Sequence, residues 1–218
     1  MAKAAATTMT SLFSIFLLLA LLATLGADGD TGGSRRCQRI PSMTAESACT
    51  AVTGTPHMRD LCLRTLLPSG SSTSSGTTAA APVPVTRHAA AAVEAALGSY
   101  AATVAAATSL LDGGLVPADD EKAAVGDCMV GYGRARIAMA RVAGDLAALP
   151  AAGGCGDGRA AAAGLIRAGY TAGLRGMDGC RRSLVDYPAS PLIDRNLADR
   201  NMTLLAALLC NLVPAALA

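Results

Sequence analysis

The clearest helical pattern of this chain lies in residues 118–149, ADDEKAAVGDCMVGYGRARIAMARVAGDLAAL. Apolar or small side chains recur along them at alternating steps of three and four residues, the spacing of one helix face packed nearly parallel to its neighbours. Asp119, Asp120 and Glu121 add negative charge at the start, where the helix dipole stabilises it. The stretch therefore predicts a long, buried bundle helix. Its inward face consists of Val125, Cys128, Tyr132, Ala135, Met139, Val142, Leu146 and Leu149.

The N-terminal segment is typical of a secretory signal peptide. Residues 11–23, SLFSIFLLLALLA, form an uncharged apolar run that is too short for a membrane span and is followed by small residues. We expect residues 1–27 to be removed and the mature protein to be secreted without a membrane anchor. Both phenylalanines, Phe13 and Phe16, lie in this segment, and the chain has no Trp. A core built from Ala, Leu, Val, Ile, Met and Gly predicts an all-α fold.

The seven cysteines all follow the signal peptide. In an exported chain they indicate disulfides, and an odd number leaves at least one of them free or paired with another molecule. No CxxC motif is present and the chain has two histidines, so no metal or other cofactor is predicted. A net charge of +2 without a concentrated basic patch gives no indication of nucleic-acid binding.

The residues between the signal peptide and the main helices predict a small hairpin and a linker. Two short segments, Ser42–Val52 and His57–Leu67, flank a break at Thr53–Pro56, so region 28–67 is expected to contain a helical hairpin. Cys49 and Cys62 are placed to close it. Residues 68–84, PSGSSTSSGTTAAAPVP, have the composition of a flexible linker.

Four long helices are predicted within residues 85–213. The first spans Thr86–Leu111, the second is the stretch 118–149, the third spans Arg159–Val185, and the fourth begins near Ser190 and Pro191. Short turns between them require an up-down-up-down four-helix bundle. Cys128 and Cys180 lie equally far from the turn between the second and third helices, so a bridge between them is inferred. The apolar face assigned to the fourth helix is Ile193, Leu197, Leu204, Leu208 and Leu212.

Three segments together resemble the plant invertase and pectin methylesterase inhibitor family. They are the hairpin around Cys49 and Cys62, residues 127–135 (DCMVGYGRA), and residues 172–180 followed by Ser190-Pro191-Leu192. The resemblance implies pairing of Cys49 with Cys62 and of Cys128 with Cys180, secretion to the apoplast, and a protein partner that is pectin methylesterase or invertase. One departure is Thr55-Pro56 where the family usually has Tyr-Pro.

The resemblance also bears on the target. Invertase inhibitors of the family use a Pro-Lys-Phe element in a turn between two bundle helices, whereas the corresponding residues 150–158 here begin Pro-Ala-Ala-Gly-Gly and contain no Phe. This difference favours a pectin methylesterase inhibitor that blocks the active-site cleft sterically. An invertase inhibitor (an inhibitor of β-fructofuranosidase) and a non-inhibitory wall-associated interaction protein are the alternatives.

Several residues remain individual candidates. A third disulfide between Cys155 and Cys210 is one alternative, and Cys210 as a small buried apolar residue is the other. Asn201 begins the sequon Asn-Met-Thr but lies close to the predicted buried face, so glycosylation and an unmodified residue are equally expected. Three arginines of the second helix are expected to be exposed and are candidate partner contacts: Arg134, Arg136 and Arg141. The alternative is that they form an ordinary solvated face.

A catalytic function is not indicated by the sequence. There is no GxSxG motif, and the two histidines, His57 and His88, lie in or beside the hairpin and linker without a companion nucleophile motif. The prediction is therefore an enzyme inhibitor rather than an enzyme.

Overall fold

The computed structural model of the chain describes residues 40–67, 81–116, 118–149 and 157–213, with the side chains of 157–159 excepted. Four predictions lie outside these residues: the signal peptide 1–27, most of the linker 68–84, the turn at 150–156 with Cys155, and any role of Cys37. The described part contains six helices and two very short strands. Their bounds are β1 Ser42–Met43, α1 Ala45–Val52, α2 Pro56–Leu66, β2 Val83–Pro84, α3 Val85–Asp112, α4 Asp119–Ala148, α5 Asp157–Ser183 and α6 Leu192–Cys210.

Helices α1 and α2 form the predicted hairpin. Threonines cap both of them: the hydroxyl of Thr44 accepts from the Ser47 N–H at 3.2 Å, and that of Thr55 accepts from the Met58 N–H at 3.3 Å. A disulfide joins Cys49 to Cys62, whose Cα atoms are 5.6 Å apart. In the chain-entropy view a crosslink closing so short a loop contributes about 3 kcal/mol, which matters because helices this short are marginal alone.

The last two residues of the predicted linker are not linker but strand. Val83 and Pro84 form strand β2, which pairs antiparallel with β1 so that Ser42 lies opposite Pro84 and Met43 opposite Val83. The buried His88 ring extends this junction by donating from Nε2 to the Met43 carbonyl at 2.9 Å. The hairpin is therefore tied to the start of α3 by backbone pairing that sequence composition does not reveal.

Helices α3 to α6 form the four-helix bundle. Each packs against the next, and α6 returns against α3, so the order around the bundle follows the chain order. This confirms the all-α up-down-up-down prediction. Helix α3 ends at Asp112 with Gly113 as its C-cap, and the following Gly114 has φ 63°, a left-handed conformation that glycine adopts without a Cβ clash. By length and composition alone α3 is apolar enough to cross a membrane, but here it is one of the core helices.

The predicted inward face of α4 is confirmed. All eight residues of that face are buried, from Val125 at 0% exposure to Leu149 at 8%. Arg134, Arg136 and Arg141 are exposed, as expected. The long stretch 118–149 therefore forms the helix that its apolar spacing predicts.

The predicted face of α6 is wrong by one residue. Leu197 is 49% exposed, and the buried face instead follows the spacing of residues 192, 196, 199, 203, 206 and 210. The physical reason is that this face carries buried polar side chains at Asn196, Asp199 and Thr203, so a search for apolar residues selects the neighbouring row. The helix also begins one residue later than predicted, since Pro191 precedes its first residue.

Candidate functional site

The seam between α4 and α5 is the most closely packed contact of the bundle. A Cβ built on Gly131 would lie 2.6 Å from the Gly176 carbonyl oxygen, and one built on Gly176 would lie 2.6 Å from the Gly131 carbonyl oxygen. One turn away, Cys128 and Cys180 form a disulfide with their Cα atoms 3.7 Å apart. The two glycines let the backbones touch, and the crosslink holds them there, so this pair of helices forms a rigid unit.

The outer side of this unit carries an exposed mixture of aliphatic and arginine side chains. On α4, Val130, Arg134, Ile137 and Arg141 recur at steps of four, three and four residues, which places them on one helix face. Val130 is 51% and Ile137 57% exposed. We call the following set the α4–α5 surface: Val130, Arg134, Ile137 and Arg141 of α4 with Leu165 and Arg175 of α5.

The charges on the middle of these two helices have one sign. Between Val130 and Gly144, and again between Gly158 and Met177, every charged residue is an arginine. Among the described residues, salt bridges involve Arg64, Lys122 and Arg200 but neither Arg134 nor Arg175. The middle of the α4–α5 surface is thus positively charged. The acidic residues Asp145 on α4 and Asp178 on α5 directly follow these stretches, and Asp178 is already paired with Arg200.

The centre of the bundle holds a buried carboxylate, Asp199, which is 1% exposed. Its Oδ2 accepts hydrogen bonds from the Tyr132 hydroxyl at 2.5 Å and the Thr103 hydroxyl at 2.7 Å, and its Oδ1 accepts from Ser99. In the described part of the chain no cation forms a salt bridge with it. Neutral hydroxyl donors on α3 and α4 therefore satisfy a charge that α6 brings into the core.

The network continues to all four helices. The Tyr100 and Thr203 hydroxyls are 2.5 Å apart, the Thr203 hydroxyl also donates to the Asp199 carbonyl at 2.7 Å, and the Asn196 amide donates to the Met177 carbonyl of α5 at 3.2 Å. Burial raises the pKa of Tyr100 to about 12, opposed by its hydrogen bond with Thr203 and reinforced by the Asp199 charge. Burial, then the hydrogen bond and charge of Asp199, raise the pKa of Tyr132 further. Both phenols stay neutral and serve as hydrogen-bonding partners.

Sequence reasoning missed this network, although one signal for it exists. A buried tyrosine hydroxyl needs a hydrogen-bond partner; Tyr132 lies on the predicted inward face of α4, and Tyr100 is buried on α3. Their ring centroids are 5.7 Å apart and nearly perpendicular, at 77°. Two inward hydroxyls on α3 and α4 require partners from a facing helix. On α6, Asp199 accepts from Tyr132 and the Thr203 hydroxyl bonds with Tyr100.

The predicted cysteine sites have different outcomes. Cys49–Cys62 and Cys128–Cys180 are both present as disulfides. Cys210, by contrast, is a buried free thiol in the described part of the chain, whereas Cys155, its predicted partner, lies outside that part. Burial raises the pKa of the Cys210 thiol to about 12, which suppresses the reactive thiolate. The alternative, a small buried apolar residue, describes Cys210.

The sequon at Asn201 lies within α6. Asn201 is half-buried, and Thr203 is fully buried with its hydroxyl engaged by Tyr100 and by the Asp199 carbonyl. The folded helix therefore does not present the Thr203 hydroxyl that the acceptor sequence requires. Glycosylation at Asn201 remains a prediction only for the chain before it folds.

Groups suited to catalysis or metal binding are not clustered among the described residues. There, no three or more His, Cys, Asp and Glu side chains are arranged to hold a metal ion. His57 is exposed on α2, and His88 is buried in its contact with Met43. What the described residues offer is a rigid, exposed flank on α4 and α5 rather than a chemical centre.

Comparison with known proteins adds one finding about the fold. The structure is similar to the crystal structure of mutant form A of a pectin methylesterase inhibitor from Arabidopsis, with a TM-score of 0.58 and 16% sequence identity. The match covers 79% of this chain and 99% of the inhibitor chain. No protein-family model and no curated protein sequence matches. The chain therefore has the fold of such an inhibitor, as the sequence resemblance implies, and fold alone does not determine function.

Proposed function

We propose that this protein is a secreted inhibitor of a cell-wall carbohydrate-active enzyme, that its target is pectin methylesterase, and that it acts by covering the active-site cleft. The observation that carries the proposal is the shared fold, which extends over 99% of the chain of a pectin methylesterase inhibitor. The resemblance of residues 127–135 and 172–180 to the inhibitor family also supports the proposal. These residues form the α4–α5 seam.

The geometry of the described residues suits blockade of another protein. Two disulfides and the glycine contact of Gly131 with Gly176 hold the bundle in one conformation before binding. A preorganised surface loses little conformational entropy when it docks, so more of the contact energy appears as affinity. The exposed aliphatic residues Val130, Ile137 and Leu165 supply contact area that the isolated protein leaves in water.

Secretion is part of the proposal. Disulfides persist in oxidising compartments, and the apolar run at residues 11–23 is typical of an export signal. An inhibitor of a wall enzyme must reach the same compartment as its target, so the expected location is the apoplast.

Inhibition assays against two enzymes test the proposal. Purified mature protein with intact disulfides is titrated into pectin methylesterase, with methanol release as the readout, and into acid invertase, with sucrose hydrolysis as the readout. We expect methylesterase activity to fall to a plateau near equimolar inhibitor, and invertase to remain active. The same protein, reduced and alkylated, is the control and should inhibit neither enzyme.

Each result has a defined meaning. Inhibition of invertase alone would move the target to the alternative enzyme class while retaining the inhibitor function. Full activity of both enzymes in excess inhibitor would contradict the proposal and favour a non-inhibitory interaction protein.

A further inference from the structure

We propose that the α4–α5 surface is the face that docks on the target enzyme, and that its arginines, Arg134 and Arg175 first, bind carboxylates of an acidic patch on that enzyme. This inference rests on the proposed function, since it names the chemistry of the partner surface. It follows from where the contacts of the seam place these two side chains.

The register of the two antiparallel helices sets the positions of the arginines. Cys128 is bonded to Cys180, and Gly131 contacts Gly176. If this register continues by one turn, Arg134 and Arg175 lie at nearly the same height along the two helix axes, about half a turn apart. Both side chains are exposed, one on each helix, within about one turn of the point where the backbones are closest.

The charge of this surface is unbalanced within the protein itself. Neither Arg134 nor Arg175 forms a salt bridge with a described residue, and the middle of each helix contains no acidic residue. Arginine is the side chain suited to binding carboxylates in pairs of parallel hydrogen bonds, because its planar guanidinium matches them and is weakly hydrated. A partner that supplies carboxylates completes the surface.

The neighbouring side chains favour a protein over an acidic polysaccharide. Val130, Ile137 and Leu165 are between 51% and 59% exposed and alternate with the arginines. Arginine is enriched at protein interfaces, and the centre of an interface is apolar, whereas sugar rings stack on exposed aromatic side chains. The tyrosines of α4 and α5, Tyr132 and Tyr170, are buried.

Charge reversal at matched positions tests the inference. Arg134→Glu and Arg175→Glu are each compared with Arg136→Glu, which lies two residues from Arg134 on the same helix and therefore points to a different side. We expect the inhibition constant for the methylesterase to rise at least about tenfold for each of the first two variants and to change less than about twofold for Arg136→Glu. Far-UV circular dichroism and urea unfolding should be those of the wild type for all three.

Ionic strength provides a second readout. Wild-type inhibition should weaken as salt is added, since exposed charges are screened, and the Arg134→Glu/Arg175→Glu double variant should show a flatter dependence. The Arg136→Glu control should follow the wild-type slope.

The outcomes separate this inference from the proposed function. A wild-type protein that inhibits no enzyme contradicts both. A wild-type protein that inhibits, with unchanged inhibition by Arg134→Glu and Arg175→Glu or an equal loss with Arg136→Glu, overturns the docking surface alone. Binding of soluble polygalacturonate that requires Arg134 and Arg175 while inhibition does not would likewise overturn it, and would assign the surface to a polysaccharide.

Discussion

The contact between Gly131 and Gly176 makes a quantitative prediction about stability. An alanine Cβ at position 131 would lie 2.6 Å from the Gly176 carbonyl oxygen and 3.2 Å from the Cys180 nitrogen. Both neighbours are backbone atoms, so no side-chain rotation relieves the clash. Ordinary van der Waals contact begins at 3.4 Å, and the helices must separate by about 0.8 Å to reach it. The Cys128–Cys180 disulfide one turn away opposes that separation.

The magnitude follows from two opposing effects. Overpacking of a tight core contact costs about 1–3 kcal/mol, while replacing a helical glycine by alanine contributes up to about 1 kcal/mol. Gly133→Ala is the matched control, because no atom lies within 4 Å of its Cβ position and it is only two residues away on α4. The helix-propensity gain is common to both variants, so we expect Gly131→Ala to be less stable than Gly133→Ala by the overpacking cost alone, about 1–3 kcal/mol.

Urea unfolding followed by far-UV circular dichroism measures this difference. Gly133→Ala should unfold at a higher urea concentration than the wild type, and Gly131→Ala at a lower one, with similar slopes for all three. The pair Gly176→Ala and Gly179→Ala repeats the comparison on α5, where position 179 is also open. Equal stabilities for Gly131→Ala and Gly133→Ala would refute the close approach of α4 and α5.

Three further predictions concern the bundle centre. Asp199→Ala leaves buried hydroxyl donors without an acceptor and should lower the free energy of unfolding by at least about 3 kcal/mol, whereas the exposed Asp194→Ala should cost less than about 1 kcal/mol in the same urea assay. At alkaline pH the folded state keeps the Tyr100 proton that the unfolded state loses above pH 10, so Tyr100 alone should lower stability between pH 10 and about 12 by about 1.4 kcal/mol per pH unit, in addition to the contributions of Tyr132 and Cys210. A Tyr100→Phe variant with an unchanged slope would contradict this assignment. Cys210 should resist iodoacetamide in the folded protein and react after unfolding, as peptide mapping of alkylated samples would reveal; modification of native protein at Cys210 would disprove its enclosure.

The helices that the sequence predicted best are those whose buried faces are apolar. The α4 face was predicted residue by residue, because its spacing repeats over the whole helix and its polar residues fall on the other side. The two crosslinks were also predictable, since hairpin closure and antiparallel register place each pair of cysteines side by side. Hydrophobic periodicity is sufficient where burial and apolarity coincide.

Periodicity failed where burial and apolarity diverge. The buried row of α6 includes Asn196, Asp199 and Thr203, and their burial depends on hydroxyls that come from α3 and α4. Such partners are more than 60 residues away along the chain, so no local pattern reveals them. The pairing of Val83 with Met43 was missed for the same reason, because a two-residue strand has no periodicity to detect.

The arginines illustrate the intermediate case. Sequence predicted that Arg134, Arg136 and Arg141 are exposed, which is correct, and helical spacing separates Arg136 from the other two. What the sequence could not supply is the neighbour on α5, because only the Gly131–Gly176 register brings Arg175 level with Arg134. A candidate surface assembled from two helices requires their relative register, and that register is fixed by glycines whose role is visible only in the packed structure.

The α4–α5 seam and the Asp199 hydrogen-bond network act on different pairs of helices, and this separation has a consequence for function. The glycine contact and the Cys128–Cys180 bridge set the spacing of α4 and α5, whereas the Asp199 hydrogen bonds set the register of α6 against α3 and α4. An Asp199→Ala protein should therefore lose stability but keep wild-type inhibition wherever it remains folded, because the α4–α5 surface does not depend on α6. Gly176→Ala should instead shift Arg175 relative to Arg134 and weaken inhibition even in protein that is fully folded. If the two variants lost inhibition in proportion to their loss of stability, the docking face would have to include α6.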